Sequence, residues 1–357
     1  MRKSPRFPVL VLAATAALAS AATAAAAYNP MLQAFEDQDN GTTDISFVQT
    51  TADDPTAKIQ FYSPAGFTIS TTQAVGTRIG TVDGQVFAAG LAGATVPVTG
   101  AVAVADPTSP TLQGLSMQCT GTKTHTAYWV ATVAASGNSL AVPVFVDVAT
   151  TAFSSSSLSL CFLPPSQVTL GIHLLEATLH LKDVFGPPAA GGEFRWTAVA
   201  TPFAGDMPNP AGTVEMQATD HQPIQVALSG KRVTKTTFKG RGKHRKKHHT
   251  YFASLVAAAN TGGVPQEGAT VDFMVGTKKV ASGTTNTKGQ VKRTLKLTKT
   301  TSYTAHVKLE SSGPISGATC SPQLPFPGTS VLIPCASVTN VGFSATSSPK
   351  RIVKPKH

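Results

Sequence analysis

The stretch 268–310 constrains the fold of this chain more than any other segment. It reads GATVDFMVGTKKVASGTTNTKGQVKRTLKLTKTTSYTAHVKLE, with apolar and polar residues alternating in short runs. Residues that favour turns, mainly Gly, Asn, Thr and Lys, separate the runs. Alternation puts every second side chain on one face of a strand, which is typical of half-buried strands. We therefore predict four consecutive antiparallel strands of a small β-sandwich here.

The composition extends this prediction to the whole chain. Only 13% of the 357 residues are charged, while Gly and Pro number 30 and 25. Low charge with many turn residues is typical of extracellular all-β proteins. The length allows two domains, each with its own core.

Short strand-like runs also fill the part of the chain before residue 223. We expect these runs to form a large antiparallel, jelly-roll-like sandwich. We also expect an irregular lead-in at 28–40. Residues 201–212 are predicted to form a long surface loop with Phe203 and Met207 exposed. A short helix is the alternative for 170–181, although its alternation favours a strand. The predicted strands are 44–49, 57–62, 76–81, 85–89, 96–104, 112–119, 127–134, 140–148, 157–163, 174–181, 194–199 and 214–218.

The N-terminus has the pattern of a secretory signal. Basic residues precede an apolar run at 9–19, and Ala25, Ala26 and Ala27 form a small-residue cleavage site. We predict a signal peptide at 1–27, cut after Ala27; a retained membrane anchor is the alternative. The sequence contains no second apolar run long enough to span a membrane, so we expect no transmembrane segment in the mature chain. We predict a secreted or extracellular location, with retention at the cell surface as a further option.

Four cysteines allow three disulfide pairings. An even cysteine count in an exported chain is typical of disulfides, and no pair has the CxxC spacing of a zinc site. Proximity along the chain favours Cys119–Cys161 and Cys320–Cys335. We therefore predict these two bonds and no metal or other cofactor.

Charge divides the chain into two parts. Residues 28–222 contain five Lys/Arg and fifteen Asp/Glu, whereas residues 223–357 contain twenty-one Lys/Arg and three Asp/Glu, so their formal charges are −10 and +18. This switch predicts an acidic domain at 28–222 and a basic domain at 223–357, the latter with a disulfide-closed C-terminal extension.

The basic run KGRGKHRKKHH at 239–249 is the strongest candidate for a binding site. A solvated hairpin tip is the plain interpretation. The functional alternatives are attraction to an anionic polymer, such as an envelope polymer, an acidic polysaccharide or a nucleic acid, and contact with the acidic domain. The run lacks aromatic residues and a nucleic-acid motif, which argues against specific nucleic-acid recognition. The candidate polyanion-binding residues are Lys239, Arg241, Lys243, Arg245, Lys246 and Lys247.

Catalytic signatures are missing from the sequence. It contains no GxSxG, HExxH, P-loop or GxGxxG motif in the required context. Glu176, Glu193 and Glu215 are the only carboxylates that we would test for glycoside hydrolysis. Four histidines of the acidic domain, at positions 125, 173, 180 and 221, are predicted to be isolated. The acids at 36, 37, 39 and 44 are predicted to form a solvated face rather than a calcium loop.

The second domain contains three short motifs, which are VPQEGATVDF from residue 264, ASGTTNTKGQ from residue 281 and TTSYTA from residue 300. They resemble motifs of bacterial Ig-like and carboxypeptidase-regulatory-like modules. The resemblance covers roughly 224–310, and the whole-chain organisation looks like that of exported actinobacterial proteins. It implies a smaller Ig-like sandwich with an adhesive, spacer or carbohydrate-related role and no catalytic residues. Gly289 would then supply a positive φ in a hairpin turn at 286–289, and Tyr303 would anchor a strand in the core.

These observations predict a non-enzymatic secreted or cell-surface protein with a binding, adhesive or structural role. Its partner would be an anionic envelope polymer or polysaccharide. The alternative is an extracellular glycan-binding or glycan-active protein that acts through the first domain.

Overall fold

The computed structural model describes residues 28–135, 138–148, 151–240, 243 and 245–355. The predicted signal peptide lies outside these residues, as does Arg241 of the basic run. Strands dominate the described chain, and no helix in it is long and apolar enough to cross a membrane. The prediction of an all-β fold is confirmed.

Within the described residues, fourteen strands and one α-helix precede residue 223. They are β1 (Met31–Asp37), β2 (Thr42–Val48), β3 (Thr56–Pro64), β4 (Thr68–Ile69), β5 (Arg78–Ala88), β6 (Ala94–Val104), α1 (Pro110–Thr120), β7 (Ala127–Ala135), β8 (Asn138–Val148), β9 (Ser154–Cys161), β10 (Ile172–Lys182), β11 (Phe185–Gly186), β12 (Gly192–Ala204), β13 (Met207–Pro208) and β14 (Val214–Gln222). The strands that follow are β15 (Ile224–Lys239), β16 (Lys246–Thr261), β17 (Val264–Pro265), β18 (Thr270–Val275), β19 (Lys278–Thr284), β20 (Gln290–Lys296), β21 (Thr301–Leu309), β22 (Cys335–Asn340), β23 (Gly342–Thr346) and β24 (Lys350–Ile352).

The long strands of the first module, residues 28–222, form one continuous antiparallel series. Their hydrogen-bonded order is β1, β2, β10, β5, β6, β7, β8, β9, β3, β12, β14. Both tryptophans of the chain, Trp129 and Trp196, lie in the core that this series encloses, each only 1% exposed. The predicted strand at 174–181 is confirmed as part of β10.

Two strands from the C-terminal end of the chain complete the series. β22 pairs in parallel with β14, and β23, directly after it, pairs in parallel with β1. The Thr339 hydroxyl donates to the carbonyl of Leu32, which ties β22 to β1 as well. The order of neighbours thus returns to its starting strand, and β1 and β14 are not left as open sheet edges.

The second module, built from β15–β21 with β23 and β24, consists of two sheets. One sheet contains β15, β16, β17 and β20, and the other contains β18, β19 and β21 with β23 and β24. Leu255, Phe273 and Tyr303 are buried between them. The four strands predicted at 268–310 are confirmed, as is the burial of Tyr303. They do not remain neighbours, because β20 joins the opposite sheet.

The turn before β20 therefore connects two sheets and is not a hairpin turn. Gly289 has the predicted positive φ, +67°, and its N–H donates to the Asn286 carbonyl. A Cβ at this position would lie 2.4 Å from the carbonyl oxygen of Ala259, on β16 of the opposite sheet. Glycine is needed here both for the backbone conformation and for the close approach.

The predicted strand at 112–119 is wrong, because this segment is helix α1. The Ser109 hydroxyl accepts from the Leu112 N–H at the helix start, Pro110 is the first helical residue, and Gly121 ends the helix at φ +79°. These are standard start and stop signals for a helix. These signals are readable in the sequence, but the strand-like runs on both sides favour a strand prediction.

The predicted irregular lead-in is also wrong, because it contains strand β1. Its half-buried and buried residues alternate, so that Glu36 is buried instead of joining a solvated face. Phe203, expected to be exposed, is buried on β12, whereas Met207 is exposed as predicted. The acidity of residues 36–39 concealed the alternation of the preceding apolar residues.

Both predicted disulfides, Cys119–Cys161 and Cys320–Cys335, are confirmed. Disulfides are typical of proteins in an oxidising environment. The second bond ends the segment 311–334, which we call the strap and which lies against β14 of the first module. The Leu324 N–H donates to Glu215 Oε2 at 2.7 Å, and Gln217 Nε2 donates to the Pro322 carbonyl. Because the chain after residue 310 contacts both modules, the predicted division at residue 222 stays a prediction.

Candidate polyanion-binding arm

β15 and β16 form a hairpin that extends beyond the sheet of the second module. The strands pair over sixteen residues each, from Ile224 opposite Thr261 to Lys239 opposite Lys246. The half nearest the module covers its core, but residues 231–239 and 246–249 are all exposed. β20 stops pairing with β16 at Phe252, opposite Val233, so the hairpin is two-stranded from Thr234 onward. At about 3.3 Å per residue, the six residues 234–239 of β15 extend roughly 20 Å beyond the sheet. We call residues 231–249 the arm.

The arm carries a high density of positive charge. It contains nine Lys/Arg and no Asp or Glu. Within the described residues, none of its Lys or Arg side chains makes an ion pair with a carboxylate. An exposed ribbon of uncompensated cations attracts polyanions and adds little to the stability of the fold.

The structure places most of the predicted binding residues at the end of the arm. Lys239 and Lys246 lie directly opposite each other, and Lys247 lies opposite Phe238. Lys243 and Arg245 belong to the connection between the strands, and all five described residues are exposed. Like charges opposite each other destabilise a strand pair. The repulsion between Lys239 and Lys246 therefore destabilises the end of the arm when no anion is bound. An anion between the two side chains reduces this repulsion.

Aromatic rings lie close to two arginines and one histidine of the arm. The Arg245 guanidinium lies 5.4 Å from the centre of the Phe238 ring, and the Arg232 guanidinium lies 5.8 Å from that of Tyr251. The His249 ring is nearly parallel to that of Tyr251, with centroids 6.3 Å apart. Cation–π contacts of this kind restrict guanidinium groups without neutralising them. Phe238, just outside the predicted run, was not recognised as part of the site.

The three candidate carboxylates for glycoside hydrolysis do not form a pair. Glu193 and Glu215 lie on adjacent strands, but Glu193 is opposite His221 and Glu215 opposite Val199. This offset of six residues separates them by roughly 20 Å, whereas catalytic carboxylates lie about 5–10 Å apart. Glu176 is on β10, which is not adjacent to either strand in the sheet order. The strap buries Glu215, and burial raises the pKa of its carboxyl group.

Two of the histidines predicted to be isolated have carboxylate partners. His180 Nδ1 lies 2.8 Å from Asp44 Oδ1, and its Nε2 contacts Asp83 on the other side. Hydrogen bonding to Asp44, with a further contribution from Asp83, raises the pKa of His180 to about 9. The partners come from β2 and β5 on either side of β10, so that local sequence gave no signal for this cluster.

His125 lies between a carboxylate and a hydroxyl. Its Nδ1 is 2.8 Å from Asp147 Oδ2, and its Nε2 is 3.0 Å from Thr120 Oγ1. This order resembles a nucleophilic triad, but the Thr120 hydroxyl is also bonded to the Ser116 carbonyl in the last turn of α1. The His125 side chain is only 1% exposed. The cluster connects α1 with β7 and β8, and we assign it a structural role.

A buried pair of carboxyl groups lies at the end of the first module next to the second. Glu36 and Asp220 both contact the Gln222 side-chain amide, and both are buried. Burial raises the pKa of Asp220 to about 6 and that of Glu36 well above its ordinary value. Removal of these groups from water favours a shared proton over two charges. In the described part of the chain, no group of three His, Cys, Asp or Glu side chains is placed to hold a metal ion.

Comparison with known proteins provides no assignment for this site. No family model matches the chain, and no curated protein matches it at a significant level.

Proposed function

We propose that this protein is a non-enzymatic secreted or cell-surface protein that binds anionic envelope polymers or acidic polysaccharides through its arm. The observation that carries the proposal is the exposed hairpin of the arm, whose sequence contains nine Lys/Arg and no acid. A polyanion reaches such a ribbon from either face. The four cysteines joined as disulfides support an oxidising location outside the cytoplasm.

The sandwich of the second module forms the base of the arm. β16 pairs with β20 only up to Phe252, so that the arm continues beyond the sheet as a two-stranded ribbon. The resemblance of 224–310 to adhesive Ig-like modules agrees with such a role. The signal peptide predicted at 1–27 would direct the chain out of the cell, and arm binding would then retain it at the surface.

Removal of the tip charges tests this proposal. In the test variant, Lys239, Lys243, Arg245, Lys246 and Lys247 are changed to Gln. Retention on immobilised acidic polysaccharide and on envelope fractions should fall, and the remaining binding should depend less steeply on salt, because fewer counterions are released. Binding is measured at several salt concentrations.

A matched control removes the same charge from exposed positions elsewhere in the second module. It changes Lys278, Lys288, Lys292, Lys299 and Lys350 to Gln, and all five are exposed. This control should retain most of the binding. Equal losses in both variants would mean that net charge, and not the arm, determines retention.

A further inference from the structure

The groove at the base of the arm has a different character from the tip. It has a volume of about 230 Å³ and is lined by Thr250, Tyr251, Lys296, Thr298 and Lys354, among others. Sites that enclose drug-sized ligands have volumes of about 300–1,000 Å³. The groove is therefore large enough for one ring-sized unit rather than for an extended ligand.

The groove is built from three separated parts of the second module. The Leu297 N–H donates to the Tyr251 carbonyl at 2.8 Å, which fixes the chain after β20 against β16. The Lys354 N–H donates to the Thr300 hydroxyl at 3.1 Å, which fixes the chain after β24. These two hydrogen bonds fix the positions of the segments that line the groove.

Positive charge surrounds an apolar floor. Tyr251 and Leu297, 9% and 3% exposed, form the floor. Lys296 and Lys354 line the groove, and Arg232 reaches its rim, where Nη1 donates to the Val353 carbonyl while the guanidinium lies over Tyr251. Among the described residues, no Asp or Glu lines the groove. Ammonium groups suit a carboxylate or phosphate, and the threonine hydroxyls donate to and accept from neutral hydroxyls.

We infer that this groove binds a single sugar unit that carries a carboxylate or a phosphate. The inference rests on the proposed function for the class of polymer, but its site is separate from the tip. A plain inorganic anion would use the lysines and leave the apolar floor without a role. A nucleic-acid base would need an open ring face for stacking, and the face of Tyr251 is buried and accompanied by His249 and Arg232. The tip would then attract the polymer, and the groove would select its chemistry.

The test is a titration of the full chain with short ligands, in which binding is measured by calorimetry. The probes are a short oligogalacturonate, glucose 6-phosphate, a neutral glucose oligomer, inorganic phosphate and a short single-stranded oligonucleotide. We expect one of the two charged sugars, or both, to bind more tightly than the neutral oligomer, inorganic phosphate or the oligonucleotide. Comparison of the two charged sugars shows which anionic group is preferred.

Variants separate this site from the tip. Lys296→Gln with Lys354→Gln should weaken charged-sugar binding by about tenfold or more, whereas Lys278→Gln and the five-residue tip variant should leave it unchanged. The thermal unfolding temperature of each variant confirms that it is folded. Equal binding of inorganic phosphate, tighter binding of the oligonucleotide, absence of charged-sugar binding or an unaffected Lys296/Lys354 variant would each overturn the inference. Loss of polymer retention in the tip variant, with short-ligand binding preserved, supports both proposals independently.

Discussion

His180 has a charged aspartate partner on each side of its strand. Asp44 comes from β2 and Asp83 from β5, and the His180 side chain is one-third exposed. A histidinium in this position links three neighbouring strands of the first module. Because two carboxylates favour the charged form, the pKa of His180 rises to about 9, against an ordinary value of 6.5.

This shift predicts how stability changes with pH. A base with a raised pKa in the folded state stabilises the protein fully below pH 6.5, and the contribution is lost as the pH rises through about 9. After allowance for solvent screening, we expect His180→Gln to lose about 1–2 kcal/mol at pH 6 and little at pH 10. The free energy of unfolding is measured by urea denaturation across this pH range. A constant loss at all pH values would show that the ion pairs are unimportant.

The exposed His249 provides a control for this experiment. It lies on the arm, away from the first module, with Thr236 as its hydrogen-bonding partner. His249→Gln should leave the pH dependence of the first module unchanged. The buried Glu36–Asp220 pair also has raised pKa values, but it is present in the unmodified protein and in both variants, so its contribution cancels in the comparison.

At the scale of elements, the turn at 286–289 determines how the second module divides into sheets. It directs β20 to pair with β16, away from β19. Any residue with a Cβ at position 289 would be strained by the positive φ, and its Cβ would clash with the Ala259 carbonyl. The turn therefore depends on glycine for two independent reasons.

Gly289→Ala should destabilise the second module by about 3 kcal/mol or more, since strain and a backbone clash add. Gly276→Ala is the matched control, because Gly276 also has a positive φ, +58°, but a Cβ there would meet nothing within 4 Å. The control should cost only about 1–2 kcal/mol. Thermal unfolding of both variants is the measurement. Equal losses would show that the close approach to Ala259 is unimportant.

The success of sequence-based prediction differed among elements for physical reasons. The strands at 270–309 were predictable because each has a buried face that produces local alternation. The groove was not predictable, because Tyr251, Lys296 and Lys354 are brought together only when both sheets form. The charge of the arm was readable from its composition, but its length depends on where β20 stops pairing with β16.

At the scale of the whole molecule, the two modules share the strands after residue 334. β22 completes the first module, and β23 pairs with both β1 and β21. Neither module contains all of its strands without this segment. The sign of the charge and the motifs along the chain predicted two domains, but neither signal is sensitive to a strand that crosses between them.

A chain that ends at Pro334 should therefore lose the native packing of the first module, although residues 28–222 are all present. Both tryptophans of the chain lie in that core, so that their fluorescence reports on it specifically. We expect a red-shifted emission and a lower, less cooperative unfolding transition. A chain that ends at Ile352 retains β22 and β23 and should behave like the full chain. Unchanged emission in the shorter chain would contradict a structural role for β22.

The parallel pairing of β22 with β14 also determines the order of events during synthesis. β1 leaves the ribosome more than 300 residues before the strand that lies beside it, as the Thr339–Leu32 hydrogen bond shows with its separation of 307 positions. The first module therefore cannot complete its hydrogen bonding while the second is still being made. A nascent chain of this design therefore keeps one edge of β1 without its native partner until nearly the whole length has been synthesised, and an unpaired strand edge is prone to aggregation.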